Sequence, residues 1–145
     1  MTDITYALHL RYLLSSWSDR LEKPASTFAD EHRDLYPRRI TNAQLYGLQN
    51  VVRNAHGFGE IRQFIRHQGD KANRAGRWDV KEYWDALLKT LSGLKSEAQN
   101  LQQQVASSPT NENAKSVLDN MHRRLVEEFT QHLIAHSLYW TPERE

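Results

Sequence analysis

The stretch DVKEYWDALLKTLSGLKSEAQNLQQQV, at positions 79–105, decides the fold of this chain. Its apolar residues alternate at spacings of four and three, and this heptad pattern predicts one continuous helix that packs along a partner helix. A helix of about 27 residues extends roughly 40 Å at about 1.5 Å per residue. The pattern is formed by Val80, Trp84, Leu87, Leu91, Leu94, Ala98, Leu101 and Val105.

A second long amphipathic helix is predicted after the Ser-Ser-Pro-Thr break at 107–110. The break is short, which favours a helical hairpin, so we expect the last helix to run antiparallel to the heptad helix and to end before Pro142. Its apolar positions are Ala114, Val117, Leu118, Met121, Leu125, Phe129 and Leu133.

The N-terminal part of the chain also has helical rather than strand periodicity. A first helix starts at Thr2 or Asp3. It is expected to end before Pro24, because proline lacks an amide donor and disfavours helix in the preceding residue. The segment 23–40 is predicted as a connector, with a short helical turn at about 26–34.

Local signals predict where the middle helices begin. Thr41 with Gln44, and Asp79 with Glu82, have the spacing of a capping box. In such a box the first side chain accepts a hydrogen bond from a helix amide and the second side chain bonds back to the cap. The Gly-Phe-Gly stretch at 57–59 is predicted as the turn between two of these helices.

Composition supports one all-α domain and narrows the classes of function. The chain has 145 residues with 6 Gly and 4 Pro, so we predict a single-domain bundle of about five helices over 1–145, with a long C-terminal antiparallel helical hairpin. The chain has no cysteine, which excludes a disulfide, a thiolate metal site and a cysteine nucleophile. We expect no membrane span, no signal peptide, no cofactor and a cytoplasmic location.

Basic residues are concentrated in the middle of the chain. Residues 33–77 contain nine Lys or Arg and three acidic residues, a net charge of +6, whereas the remainder carries −5. On a helical wheel of about 100° per residue, the helix after the 57–59 turn has an apolar side and a basic side. A compact basic surface on a nearly neutral protein is typical of a protein that binds nucleic-acid phosphates. The residues predicted to contact nucleic acid are Arg53, Arg62, Arg66, His67, Lys71, Arg74 and Arg77.

A metal site is one alternative in the last helix. His132 and His136 are four residues apart, and Glu128 lies one turn earlier, which is a spacing that metal ligands adopt on a helix. We favour a polar helix edge without a metal, because no second cluster of ligands is apparent. Signatures of a serine nucleophile, of paired catalytic carboxylates and of dinucleotide binding are also absent, so we predict a protein without catalytic residues.

Two further functions remain open. Arg62 and His67 are separated by four residues, a spacing that occurs in the Arg-to-His motif of helical ribonucleases of the HEPN class, where histidine would act as a general acid or base without metal. A protein-interaction module that does not bind nucleic acid would instead use exposed aromatic side chains. We predict such side chains at Tyr36, Tyr139 and Trp140.

Five short segments in the middle of the chain carry a resemblance to one known protein family. They are QLYGLQN at 44–50, GFG at 57–59, FI at 64–65, QGDK at 68–71 and YWDALL at 83–88. The segments before the apolar stretch at 83–88 resemble the Gly-Leu helix, the Phe-containing helix and the basic turn of one family. That family is the small α-helical subunits of type III CRISPR–Cas effector complexes, and the resemblance covers roughly a third of the chain.

The resemblance implies a non-catalytic subunit of an antiviral ribonucleoprotein complex. In this family a basic face follows the guide and target backbone without reading its sequence, and apolar edges contact neighbouring subunits. The implied partners are single-stranded RNA or DNA and other protein subunits, with self-association also open. By the same resemblance, backbone contacts fall on Arg53, Arg62, Arg66, Lys71, Arg74 and Arg77.

Overall fold

Five α-helices make up most of the protein in the computed structural model, which describes residues 3–104 and 111–139. No β-strand occurs in these two ranges, so the prediction of an all-α bundle of five helices is confirmed. A short 3-10 helix, Arg33–Leu35, follows the first α-helix. The α-helices are α1 (Asp3–Glu31), α2 (Asn42–Asn54), α3 (Phe58–Arg74), α4 (Trp78–Gln104) and α5 (Asn111–Tyr139). The Thr2 cap, the break at 107–110 and Pro142 lie outside the described residues.

The heptad positions of α4 lie at the centre of the core. Trp84, Leu87 and Leu91 have no exposed surface, and every described position of the pattern is buried. Val105, the last position, lies outside the described residues. Because full burial of one leucine side chain stabilises a fold by about 1.5–3 kcal/mol, this row supplies much of the driving force for folding. The predicted long helix with one apolar side is confirmed.

α4 and α5 run antiparallel. Near one end of the pair, Tyr83 of α4 and Phe129 of α5 both contact the ring of Phe28, with centroid distances of 5.3 and 6.5 Å. Further along, the Nε2 atom of His122 lies 2.9 Å from the carbonyl oxygen of Leu91. Residue numbers therefore rise along α4 while they fall along α5, and the predicted C-terminal hairpin is confirmed.

α1 continues through Pro24, so the predicted end of this helix is wrong. Proline has no amide hydrogen, and the carbonyl oxygen of Arg20 therefore receives no helical hydrogen bond from residue 24. Beyond the proline, Ala25, Phe28 and Ala29 are buried in the core. Burial of this apolar side outweighs the missing hydrogen bond, and the helix extends to Glu31, for about two further turns, where the sequence predicted a connector.

α1 lies parallel to α5. The Nε2 atom of His132 donates to the carbonyl oxygen of Ser18 at 3.0 Å, and the Ser18 hydroxyl donates to Glu128 at 2.6 Å. One turn later on both helices, the His136 ring lies 3.8 Å from the Glu22 carboxylate. The pairs Ser18–His132 and Glu22–His136 each join residues that are 114 positions apart. A constant separation of this kind is expected for parallel helices.

The two predicted capping boxes have different outcomes. The Thr41 hydroxyl accepts from the Gln44 amide at 3.2 Å, and the Gln44 side chain accepts from the Thr41 amide at 2.9 Å, so the first box is confirmed. The second is wrong, because α4 begins at Trp78 and Asp79 already lies in its first turn. The Asp79 carboxylate instead binds the guanidinium of Arg39, a charged partner that a local sequence pattern does not reveal.

Candidate nucleic-acid interface

α3 has a buried apolar side and an exposed basic side, as the helical wheel predicts. Ile61, Ile65 and Ala72 are buried, and the helix passes through Gly69 without interruption. It begins at Phe58, so the turn predicted at 57–59 is shorter than expected. The buried side fixes the helix on α2 and α4 and leaves its basic side chains in contact with solvent.

Most of the predicted contact residues are exposed and lack an acidic partner. Two nearby basic side chains are paired with carboxylates, Arg39 with Asp79 and Lys81 with Asp85. Within the described ranges, no ion pair involves any of the seven predicted residues, and the charges of the five exposed Lys and Arg residues are available to an external anion. These five residues are Arg53, Arg66, Lys71, Arg74 and Arg77, and His67 is exposed as well.

The turn after α3 gives Arg77 a different position from the one on the wheel. The helix ends at Arg74, and Gly76 has a φ of 72°, in the left-handed region that favours glycine. The Gly76 amide donates to the carbonyl of Asn73, and the Arg77 amide donates to the carbonyl of Ala72 at 2.9 Å. These bonds form a helix-terminating cap of the Schellman type. The prediction that Arg77 extends the basic arc of α3 is wrong because the helix ends before it.

Arg77 and Lys71 instead lie beside one groove of about 190 Å³ at the C-terminal end of α3. Arg39 lines the same groove, together with the carboxamides of Gln44 and Gln68, which are hydrogen-bonded to each other at 3.2 Å. Guanidinium, ammonium and amide groups all bind phosphate oxygens in nucleic-acid complexes. Arg39 was not among the contact residues predicted from the sequence, because it lies in a different segment, before α2.

One cation of this groove is neutralised within the protein. The Arg39 Nε and Nη2 atoms donate to the two carboxylate oxygens of Asp79 at 2.6 and 2.7 Å. These hydrogen bonds lower the pKa of the Asp79 carboxyl, which is therefore ionised at neutral pH. Lys71 and Arg77 are left as the unpaired cations of the groove.

An exposed aromatic side chain adjoins the groove in sequence. Trp78 is 64% exposed and lies directly after Arg77, two residues before the groove residue Val80. Exposed aromatic rings beside basic residues are surfaces on which the bases of single strands stack. Trp78 was not among the contact residues predicted from the sequence. The signal that identifies it is an aromatic residue immediately after an arginine in a basic segment.

Arg53 lies apart from this surface. At about 100° per residue, Arg53 is about 180° around α2 from Gln44, which contacts α3, and only about 20° from Tyr46. Tyr46 is 50% exposed. Arg53 and Tyr46 therefore share a separate solvent-facing side of α2.

Arg62 is also separate from the groove. Its guanidinium carbon lies 5.2 Å from the centroid of the Phe58 ring, and the side chain lines a second cavity at the N-terminal end of α3. Arg62 and His67 are about 140° apart on this helix, at about 100° per residue. The two side chains therefore do not converge, and α3 does not assemble the Arg–His pair of the ribonuclease alternative.

The histidines of the metal alternative interact with α1. His132 donates to the Ser18 carbonyl, and His136 lies beside Glu22, so the two rings are oriented by different partners. No group of three His, Asp or Glu side chains in the described part of the chain is arranged to hold a metal ion.

The exposed aromatic side chains differ from those predicted. Tyr36 is only 7% exposed, and its hydroxyl donates to the Tyr83 hydroxyl at 3.1 Å, so the prediction of an exposed Tyr36 is wrong. The Tyr139 side chain and all of Trp140 lie outside the described residues. Among the side chains that the structure describes, the exposed large apolar ones besides Trp78 and Tyr46 are Leu8 and Tyr12 of α1.

Comparisons with known proteins and the search for membrane spans are both negative. No protein family, curated protein or solved structure gives a match to the chain. None of the described helices combines the length and apolar character needed to cross a bilayer.

Proposed function

We propose that this chain is a non-catalytic helical subunit that contacts the phosphate backbone of single-stranded RNA or DNA. Its place would be in a larger cytoplasmic ribonucleoprotein complex, as for the small subunits of type III CRISPR–Cas effectors. The observation that carries the proposal is the set of exposed basic side chains without ion pairs on α3 and in the turn after it. By contrast, two nearby basic residues, Arg39 and Lys81, are neutralised by carboxylates.

The contacts begin at the groove and continue along α3. Lys71 and Arg77 line the groove, while Arg66 and Arg74 extend the positive charge along the exposed side of the helix. These side chains recognise phosphates, which carry no sequence information, so binding is general rather than sequence-specific. The exposed ring of Trp78 favours a single strand over a duplex, because only unpaired bases are free to stack on it.

Replacing Lys71 and Arg77 together with glutamine tests this function. The double variant is expected to weaken binding by a similar factor for all single-stranded sequences. It is also expected to make the slope of log affinity against log salt shallower by about 1.4, or about 0.7 for each phosphate contact. Both side chains are exposed, so the melting temperature should barely change. Fluorescence anisotropy of labelled oligonucleotides at several salt concentrations measures the affinity and the slope.

The matched control removes the same number of charges elsewhere. Lys89 and Lys115 are exposed on α4 and α5 and line neither the groove nor the second cavity. Their joint replacement with glutamine is expected to leave the slope close to that of the parent. If the groove variant and the control behave alike, the basic side of α3 is an ordinary solvated helix face and the function is protein interaction.

Asp79→Asn is expected to have the opposite effect on binding. The substitution removes the carboxylate that neutralises Arg39, and so adds a third free cation to the groove. Affinity for a single strand should rise, and the salt slope should steepen by about 0.7. The same anisotropy titration gives both values. In an Arg39→Gln background the gain should disappear, and an equal gain in both backgrounds would contradict the role of Arg39.

α1 offers the apolar surface that a subunit of an assembly requires. Leu8 is 58% exposed and Tyr12 is 70% exposed, and the two are four residues apart on one side of the helix. Large exposed apolar side chains at this spacing favour contact with another protein. In the proposed complex this side of α1 meets a neighbouring subunit, while α3 meets the nucleic acid.

A further inference from the structure

A second cavity lies at the opposite end of α3 from the groove. It has a volume of about 310 Å³ and is enclosed by the start of α3, the middle of α4 and the first half of α5. The three helices meet here because α4 and α5 form an antiparallel hairpin, with α3 packed against α4. The side chains that matter for its chemistry are those of His56, Phe58, Arg62, Lys95, His122 and Arg123.

The cavity carries an excess of positive charge. Arg62, Lys95 and Arg123 come from three different helices, and the one carboxylate in the lining is that of Asp119. In the parts of the chain that the structure describes, none of the three cations forms an ion pair. Like charges held around one concavity repel each other, and an anion bound between them relieves that repulsion.

The backbone adds to the positive electrostatic potential of the cavity. Gly57 is the N-terminal cap of α3 and lines the cavity with Phe58, and no side chain of the cap accepts from the first helix amides. The positive end of the α3 dipole is thus directed toward the cavity region. Glu60, the acidic residue of the first turn, does not itself line the cavity, but its carboxylate accepts from the amide of the lining residue His56 at 3.2 Å and lies 3.5 Å from the His56 ring.

One wall of the cavity is rigid. His122 is 6% exposed, and its Nε2 atom donates to the Leu91 carbonyl at 2.9 Å. Its ring packs on Phe58 with a centroid distance of 4.7 Å, and the Arg62 guanidinium lies against the same Phe58 ring. These contacts hold Arg62 in place before any ligand arrives, which lowers the entropy lost on binding.

We propose that this cavity binds a phosphate monoester, either the terminal phosphate of a nucleic-acid strand or that of a free nucleotide. A monoester carries up to about two negative charges and three terminal oxygens, which suits three cations and a helix N-terminus. The volume is at the lower end of the range for small-molecule pockets, enough for a phosphate with its sugar but not for a strand. Arg62 and Lys71 are about 14 Å apart along α3, so this site is distinct from the backbone groove and does not depend on it.

Oligonucleotides that differ only in a terminal phosphate test the proposal with the full chain. One RNA sequence is compared with a 5′-phosphate, with a 3′-phosphate and with hydroxyl groups at both ends, by fluorescence anisotropy. Uridine monophosphate, uridine and inorganic phosphate are compared by thermal shift. We expect one phosphorylated end to bind about tenfold more tightly than the hydroxyl form, the gain from one or two charge-assisted hydrogen bonds. We expect the monophosphate, and not uridine, to raise the melting temperature.

Lys95→Gln and Lys89→Gln form the matched pair of variants. Both lysines are exposed on α4, but only Lys95 lines the cavity. Lys95→Gln should remove the preference for the phosphorylated end and the stabilisation by the monophosphate without changing the melting temperature of the unliganded protein. Lys89→Gln should keep both responses.

The possible results distinguish failure of the phosphate-monoester site from failure of the proposed backbone-binding function. A thermal shift with the monophosphate but no preference for a phosphorylated strand identifies a free nucleotide as the ligand. The absence of both responses, or a phosphate preference that survives Lys95→Gln, overturns the proposal. Replacing Lys71 and Arg77 should weaken all oligonucleotides equally and leave the phosphate preference unchanged, so failure at one site is visible independently of the other.

Discussion

Leu91→Asp is expected to abolish the cooperative unfolding transition of this protein. Leu91 has no exposed surface and lies near the middle of α4. Its own backbone carbonyl accepts the hydrogen bond from His122 of α5. An unpaired carboxylate at such a position costs several kcal/mol, in addition to the lost burial of the leucine. The total stability of a domain is only about 5–15 kcal/mol, so the substitution removes most or all of it.

Circular dichroism during thermal unfolding measures this effect. Ser96→Asp is the control, because Ser96 is exposed on the same helix and the substitution adds the same charge. The control should melt cooperatively near the temperature of the parent. If Leu91→Asp also melts cooperatively within a few degrees of the parent, α4 is not the centre of the core.

Pro24→Ala is expected to stabilise the protein by about 2 kcal/mol. Proline in a helix interior is less favourable than alanine by about 3 kcal/mol, because it removes a hydrogen bond and crowds the preceding turn. Part of the gain is offset because alanine lets the unfolded chain adopt more conformations, by about 0.4–1 kcal/mol. Pro24 is exposed, so the substitution leaves no cavity.

Urea denaturation gives the free energy of unfolding for this comparison. Lys23→Ala is the control, since Lys23 is exposed and adjacent in the same helix, and it should change stability by less than about 0.5 kcal/mol. Loss of stability in Pro24→Ala would contradict the expected gain and show that the proline contributes more to the stability of this helix than its missing hydrogen bond costs.

Features that depend on neighbouring residues could be predicted from the sequence. The heptad row of α4 and the apolar side of α3 follow from periodicity alone, because a helix places residues three and four apart on one side. The Thr41 capping box is equally local. The errors at Pro24 and Asp79 share one cause: a distant partner outweighed a local preference. For Pro24 that partner is the core around Phe28, and for Asp79 it is Arg39.

The candidate sites were predicted only in part for the same reason. The exposed basic residues of α3 follow from the wheel, but the groove also needs Arg39, which precedes α2. Lys95 and Arg123 face the same cavity only because the hairpin sets the register of α4 against α5. No spacing along the chain encodes that register. The position of Arg77 depended on where α3 ends, and Gly76 was the signal that marked this end.

The parallel contact between α1 and α5 has a consequence for the order of events during synthesis. Ser18 meets Glu128 and His132, and Glu22 meets His136, across 110 to 114 residues of intervening chain. A nascent polypeptide emerges from its N-terminus, so α1 leaves the ribosome long before the helix that covers it exists. Contacts between residues this far apart in the sequence form late, and they lower the folding rate. The side of α1 that packs on α5 therefore lacks its partner until the last helix has been synthesised.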